Sequence, residues 1–268
     1  MSNKIRIGAV SYLNTKPLIY DFQRFAPEVI LVLDYPSKLA DALAAGALDV
    51  ALIPSIEAFQ DPTYTIVSDA CIGCRGPVLS VKLYCRTAPD KIRTLALDEG
   101  SRTSAALTKI LLKQRFGIEP RLLPLPIGDS LADSPADAVL LIGDRAMRTP
   151  PGTFHTIWDL GDEWCRWAEL PFVFAMWTAR AGVDLQGIEK ALESSRDAGV
   201  ARLDEIAVRE AAPLGLTEAE CLAYLRDNLY FYLGEREARG LSLFQKLARE
   251  MQLAPPGVDV GSFHFEGA

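Results

Sequence analysis

Three times before residue 60 an apolar run of strand length ends near a hydroxyl residue and passes into a helical stretch. Ile5 to Val10 leads to Ser11, Val29 to Leu33 leads to Ser37, and Val50 to Ile53 leads to Ser55. Strands that alternate with helices at this spacing require crossovers, so the expected fold class is α/β with a mainly parallel sheet. The C-terminal ends of such strands share one edge, where α/β sheets bind ligands. Ser37 is expected to cap a helix through Ala45 that Gly46 ends, and Pro54-Ser55 to open another that reaches Ala58. At the first strand end the chain reads Ser11-Tyr12-Leu13-Asn14-Thr15-Lys16-Pro17-Leu18. Proline suits a first helical turn, so a helix is expected to open near Thr15 to Pro17. Its free N–H groups would then join Ser11, Asn14 and Thr15 as neutral donors for an anion. Each of these residues also has an ordinary use as a cap or turn former.

The 268 residues suffice for one large domain or two modest ones. A formal charge of −7, from 28 basic and 35 acidic residues, weighs against a nucleic-acid surface. No apolar segment approaches membrane-spanning length, and Met1-Ser2-Asn3-Lys4 runs straight into the first strand with no apolar leader. A cytoplasmic chain with no membrane partner is expected, and its five cysteines should be reduced thiols. Cys71 and Cys74 have metal-like spacing but no second pair; Cys85, Cys165 and Cys221 stand alone, and His155 and His264 belong to no paired motif. Cys71 and Cys74 are therefore read as packing or loop residues. With no phosphate loop, dinucleotide fingerprint or metal set, no cofactor is expected. Monomer and dimer both stay open.

Further strands are expected at Tyr64 to Ser68 and Val78 to Cys85, and a breaker cluster, Thr87-Ala88-Pro89-Asp90, follows. After a strand at Thr94 to Leu97, Ser101-Arg102-Thr103-Ser104 stands at the start of a helix that runs to Phe116 and ends at Gly117. Three hydroxyls, a guanidinium and free N–H groups suit a carboxylate or phosphate; the plain alternative is a well-capped helix with a solvated arginine. A buried strand at Ala138 to Ile142 delivers Gly143-Asp144 to another strand end. Phe154 to Trp158 is read as a short strand and Leu160 to Ala168 as a helix whose Trp164 and Trp167 serve the core. Leu170 to Trp177 is read as a strand that returns to the first lobe. Helices are expected from Gln186 to about Ala211, Thr217 to Leu233 and Glu235 to Met251, with a loose tail after Pro255. Residues 1–85 and 175–268 then form one lobe and 86–174 the other, with two crossings and a cleft between them.

The runs VSYLNTKPL, LAAGALDVALIPSIE, LDEGSRTSAALTKILL, LLIGDRAM, LPFVFAMW and FYLGEREARGLSLF, in this order, resemble the menaquinone-biosynthetic chorismate dehydratase family of the futalosine route. One departure is Trp167-Ala168-Glu169 before LPFVFAMW, where the resemblance leads one to expect a Thr-Gly pair. The resemblance implies a two-lobed fold of the second periplasmic-binding-protein type, with two crossing strands and a helical C-terminal segment. It implies conversion of chorismate to 3-[(1-carboxyvinyl)oxy]benzoate and water. Carried over by motif, Asn14 is the catalytic candidate. Ser11, Ser55, Ser80, Ser101, Arg102, Thr103, Ser104, Gly143, Asp144 and Phe172 are the substrate-binding candidates. With histidine scarce and carboxylates repelled by a dianion, the substrate's own enolpyruvyl carboxylate is the expected proton acceptor. Two alternatives stand beside this reading: a non-enzymatic carboxylate binder or sensor on the same fold, and the sister synthase that forms 1,4-dihydroxy-6-naphthoate.

Overall fold

The computed structural model describes residues 4–185 and 187–256. His264, the start of the expected helix at Gln186, the three N-terminal residues and most of the expected loose tail lie outside the described residues. The chain builds two mixed sheets. The first contains β1 (Arg6–Val10), β2 (Ile30–Asp34), β3 (Val50–Pro54), β4 (Thr65–Cys74), β10 (Phe172–Ala179) and β11 (Tyr230–Tyr232), in the order β11-β4-β10-β3-β1-β2. The second contains β5 (Val81–Cys85), β6 (Thr94–Asp98), β7 (Arg121–Leu125), β8 (Ala138–Ile142) and β9 (Thr156–Asp159), in the order β7-β6-β8-β5-β9. The chain crosses between the sheets at 75–80 and again between helix α5 (Leu160–Ala168) and β10. Strand β5 therefore belongs with the second sheet, although the sequence reading had placed residues up to 85 with the first.

The expected parallel pairing holds where crossover helices return the chain: β1 pairs in parallel with β2 and β3, and β6 with β7 and β8. It fails for the strands next to the crossings. β10 enters from the other sheet and runs antiparallel to both β3 and β4, and β5 runs antiparallel to β8 and β9.

Two-residue periodicity sorts the second sheet's side chains. Leu83, Leu95, Ala138, Leu140 and Ile142 join a hydrophobic core continuous with that of the first sheet. The alternate residues Tyr84, Ala96, Val139 and Leu141 fill a small second cluster on the opposite face. The connecting helices are α1 (Phe22–Phe25), α2 (Pro36–Ala44), α3 (Ser55–Ala58), α4 (Arg102–Phe116) and α5, followed by α6 (Ile188–Val200), α7 (Leu203–Glu210), α8 (Glu218–Ala223) and α9 (Glu235–Glu250).

Several elements depart from the sequence reading. The expected helix 217–233 stops early: α8 widens into a π turn at Tyr224–Asn228 and the chain then extends as β11. The expected helix to Ala211 is two helices, broken at Ala201 and Arg202. Of the two readings of Cys71 and Cys74, packing holds and loop does not: both are buried in strand β4. Leu13–Ile19 forms a 3-10 helix that starts ahead of Thr15, so Thr15 is buried inside it and does not cap it. α6 fixes this segment from behind: at Gly199 an added Cβ would stand 2.1 Å from the carbonyl oxygen of Pro17. Only glycine permits that backbone approach.

Candidate active site

A cavity lies between the two sheets at the C-terminal ends of their parallel strands. Together with the solvent at its mouth it spans about 480 Å³ of atom-free space. Val10, Tyr12 and Asn14 reach it from the end of β1, Pro36 from β2 and Pro54 from β3. Ser101 and Ser104 come from the turn after β6, and Ile142 and Gly143 from the end of β8. The crossings add Ile72, Val78, Ser80, Val81, Phe174 and Ala175. Among the described lining residues none is Asp, Glu, His, Lys or Arg. Polar capacity comes from an amide, hydroxyls and backbone groups in an otherwise apolar wall.

Five of the expected site residues thus face one cavity: Asn14, Ser80, Ser101, Ser104 and Gly143. Asn14 accepts a hydrogen bond from Thr15 Oγ1 at 3.3 Å through its side-chain oxygen, so its NH₂ group is the donating end. Ser101 is the N-cap of the fifteen-residue helix α4; its Oγ accepts from the N–H of Ser104 and lies 2.9 Å from Ser104 Oγ. Both hydroxyls therefore sit at the positive end of a long helix dipole. Gly143 has φ +73°, and a Cβ there would lie 2.6 Å from the ring of Tyr12. The ring closes the cavity over that glycine. Burial, followed by the neighbouring Asp98 carboxylate, pushes the Tyr12 phenol well above its ordinary pKa, against Arg145. It stays a neutral donor at physiological pH.

The other six expected residues do not line the cavity, and five of them have a structural task. Ser11 is exposed. Ser55 Oγ donates to Val173 O at 2.8 Å. Thr103 Oγ1 accepts from the N–H of Ile56 at 3.1 Å. Arg102 turns outward to Asp41 at 2.7 Å and Glu57 at 3.1 Å. Asp144 accepts from the N–H of Leu13 at 3.1 Å, so it anchors the segment that carries Asn14; burial raises its carboxyl pKa, opposed by that N–H and by Lys16. Phe172 is buried in an aromatic cluster, with its ring centroid 5.1 Å from Trp164 and 5.0 Å from Phe244. His155 is exposed and lies outside the lining set.

Sequence reasoning missed Tyr12 and the apolar wall. The position of Tyr12 beside Asn14 in the first motif was the available signal. It also missed Tyr224, whose hydroxyl donates to Ser80 Oγ at 2.8 Å from behind the cavity. Nothing in the 217–233 helical pattern marked that residue. Among the described residues no group of three or more His, Cys, Asp or Glu could hold a metal ion, and no helix is long and apolar enough to cross a membrane.

Two sheets joined by two crossings, with a cavity between them at the strand ends, define a periplasmic-binding-protein-like fold. Solved structures share it. A protein from Archaeoglobus fulgidus superposes with a TM-score of 0.73 at 16% identity, over 94% of this chain and 99% of that one. The periplasmic aliphatic sulphonate binding protein SsuA from Escherichia coli gives 0.61 at 16% identity, over 96% and 95%. Within that fold class the sequence is more specific. A family model described as menaquinone biosynthesis matches residues 5–250, and the chain belongs to that family. It is also 31% identical over 256 residues to the chorismate dehydratase of Thermus thermophilus, covering 89% of this chain and 93% of the relative.

Proposed function

We propose that this chain is a chorismate dehydratase, a hydro-lyase of menaquinone biosynthesis that forms 3-[(1-carboxyvinyl)oxy]benzoate and water in the cytoplasm. Family membership and the similarity to the Thermus thermophilus enzyme support the substrate. The observation that carries the mechanism is the wall of the cavity: donors from both sheets converge there, and no described lining residue can act as an ionised base.

Chorismate brings two carboxylates. The hydroxyls of Ser101 and Ser104, at the N-terminus of α4, suit one of them. Asn14 and Ser80, across the cavity, suit the enolpyruvyl carboxylate or the leaving hydroxyl. A proton must leave C3 and hydroxide must leave C4. The C3–H electron pair becomes the new ring double bond, and aromatisation drives the step. The enolpyruvyl carboxylate accepts the C3 proton and passes it to the hydroxide that leaves C4, so the carboxylate is restored and the pair departs as water. The protein's contribution is to hold the reactive conformer and to donate hydrogen bonds where charge moves. On this reading the first sheet and its helices, residues 5–74 and 172–250, form one lobe and residues 81–168 the other.

The test is incubation with chorismate while following loss of its diene absorbance and gain of the benzoate. Asn14→Ala should lower kcat about 100-fold or more while KM changes only a few-fold. Equal losses in kcat and in affinity would reduce Asn14 to a binding group. A melting shift with chorismate but no turnover by the unaltered protein would make it a binder.

A further inference from the structure

Tyr224 is the first residue of the π turn that follows α8. α8 starts from a capping box in which Thr217 and Glu220 satisfy each other's N–H groups, so its entry is regular and its exit is not. Widened turns of this kind recur at functional sites. Here the widening delivers a fully buried phenol to the back of the cavity, 1% exposed and outside the lining set. Its hydroxyl donates to Ser80 Oγ at 2.8 Å. The Asn14 side chain also acts on this phenol, lowering its pKa as a nearby donor does. Tyr224 thereby stands behind the cavity with its hydroxyl committed to one of the expected donors, Ser80.

Ser80 is poorly held without it. Among the described residues the only other hydrogen bond of its hydroxyl is with Val78 O at 3.4 Å, and that carbonyl already accepts the N–H of Ser80 at 2.7 Å. The preceding residue, Leu79, has φ +64°, a conformation that costs energy for a branched side chain and is kept where a local geometry is needed. The N–H groups of Val78 and Leu79 are fixed by Asp159 at 2.9 Å and 2.7 Å. The backbone around Ser80 is thus pinned, while the direction of its hydroxyl proton is left to Tyr224.

We propose that Tyr224 is a positioning residue: by donating to Ser80 Oγ it fixes the rotamer of that side chain and turns the Ser80 proton into the cavity. This inference rests on the reading of the cavity as the dehydratase site. Burial raises the pKa of the phenol far above its ordinary value, against the effects of Ser80 and Asn14, so Tyr224 remains a donor throughout the working pH range.

The test is Tyr224→Phe, which keeps the ring and its packing and removes one oxygen. With chorismate, kcat should fall about 10- to 100-fold while KM changes less than about threefold. In a cycle with Ser80→Ala, the double variant should lose little beyond Ser80→Ala alone. A kcat within about twofold of the parent, or losses that multiply in the double variant, would overturn the proposal. A crystal structure of the Phe variant supplies a readout independent of turnover. An unchanged Ser80 rotamer would overturn the positioning role even if chorismate proved not to be the substrate. A rotated one would uphold it.

Discussion

Thr103 and Ser104 stand side by side at the start of α4, yet only Ser104 reaches the cavity. The sequence motif marks both, because hydroxyls at a helix N-terminus are chemically alike. What separates them is the 100° turn between successive helical residues, which points Thr103 at the N–H of Ile56 on the other sheet's α3. Thr103→Val keeps the shape and removes the acceptor. It should cost about 1–3 kcal/mol of stability in a denaturant titration, since a buried N–H loses its partner. The same ambiguity runs through the site. Ser55 and Ser80 both look like donors at strand ends, but Ser55 is committed to Val173 O and Ser80 is not so committed. A sequence shows which residues can donate; three-dimensional neighbours decide which donors are already used. Tyr224 lay beyond reach because the break in its helical pattern is a backbone event, with no glycine or proline to announce it.

At the scale of elements, strand–turn–helix units were legible because their apolar runs and turn residues agree locally. Two strands were not. β7 is an edge strand with exposed Arg121 and Leu122 and carries Pro124, so it lacks both alternation and a strand-like composition. β11 is three residues long and follows apolar residues at helical spacing. One sequence departure has a clear physical consequence. Glu169, last of the three residues where the resemblance leads one to expect a Thr-Gly pair, follows α5 as its C-terminal cap with φ +56°. Left-handed backbone is unfavourable for a residue with a Cβ, and the N–H of Glu169 still closes the helix onto Cys165 O at 3.1 Å. Glu169→Gly should raise stability by about 0.5–1 kcal/mol, seen as a higher Tm with unchanged kcat.

Across the whole molecule, the enclosure is drawn together by bonds between the two sheets' loops and helices. The N–H of Ser37 meets Gly100 O at 3.2 Å, the N–H of Leu13 meets Asp144, and Arg102 spans to Asp41 and Glu57. The Arg102 pairs are partly exposed and contribute modestly; the buried Thr103 contact and the pinned loops matter more. The molecule as a whole is acidic, at −7, and its field opposes a dianion. Attraction is confined to oriented neutral dipoles inside the cavity.

A wall built this way is silent to titration. The Tyr12 phenol in the wall and the Tyr224 phenol behind it, both raised by burial, stay protonated well past their ordinary value, and the other polar groups of the described lining carry no exchangeable charge. If the acceptor is the substrate's own carboxylate, already ionised at neutral pH, kcat should be level from about pH 6 to pH 9. A bell-shaped profile centred near neutrality would reveal an acid or base that the cavity wall does not contain. Such an enzyme would run at one intrinsic speed whether its surroundings drift acid or alkaline, and its output would follow only how much precursor reaches it.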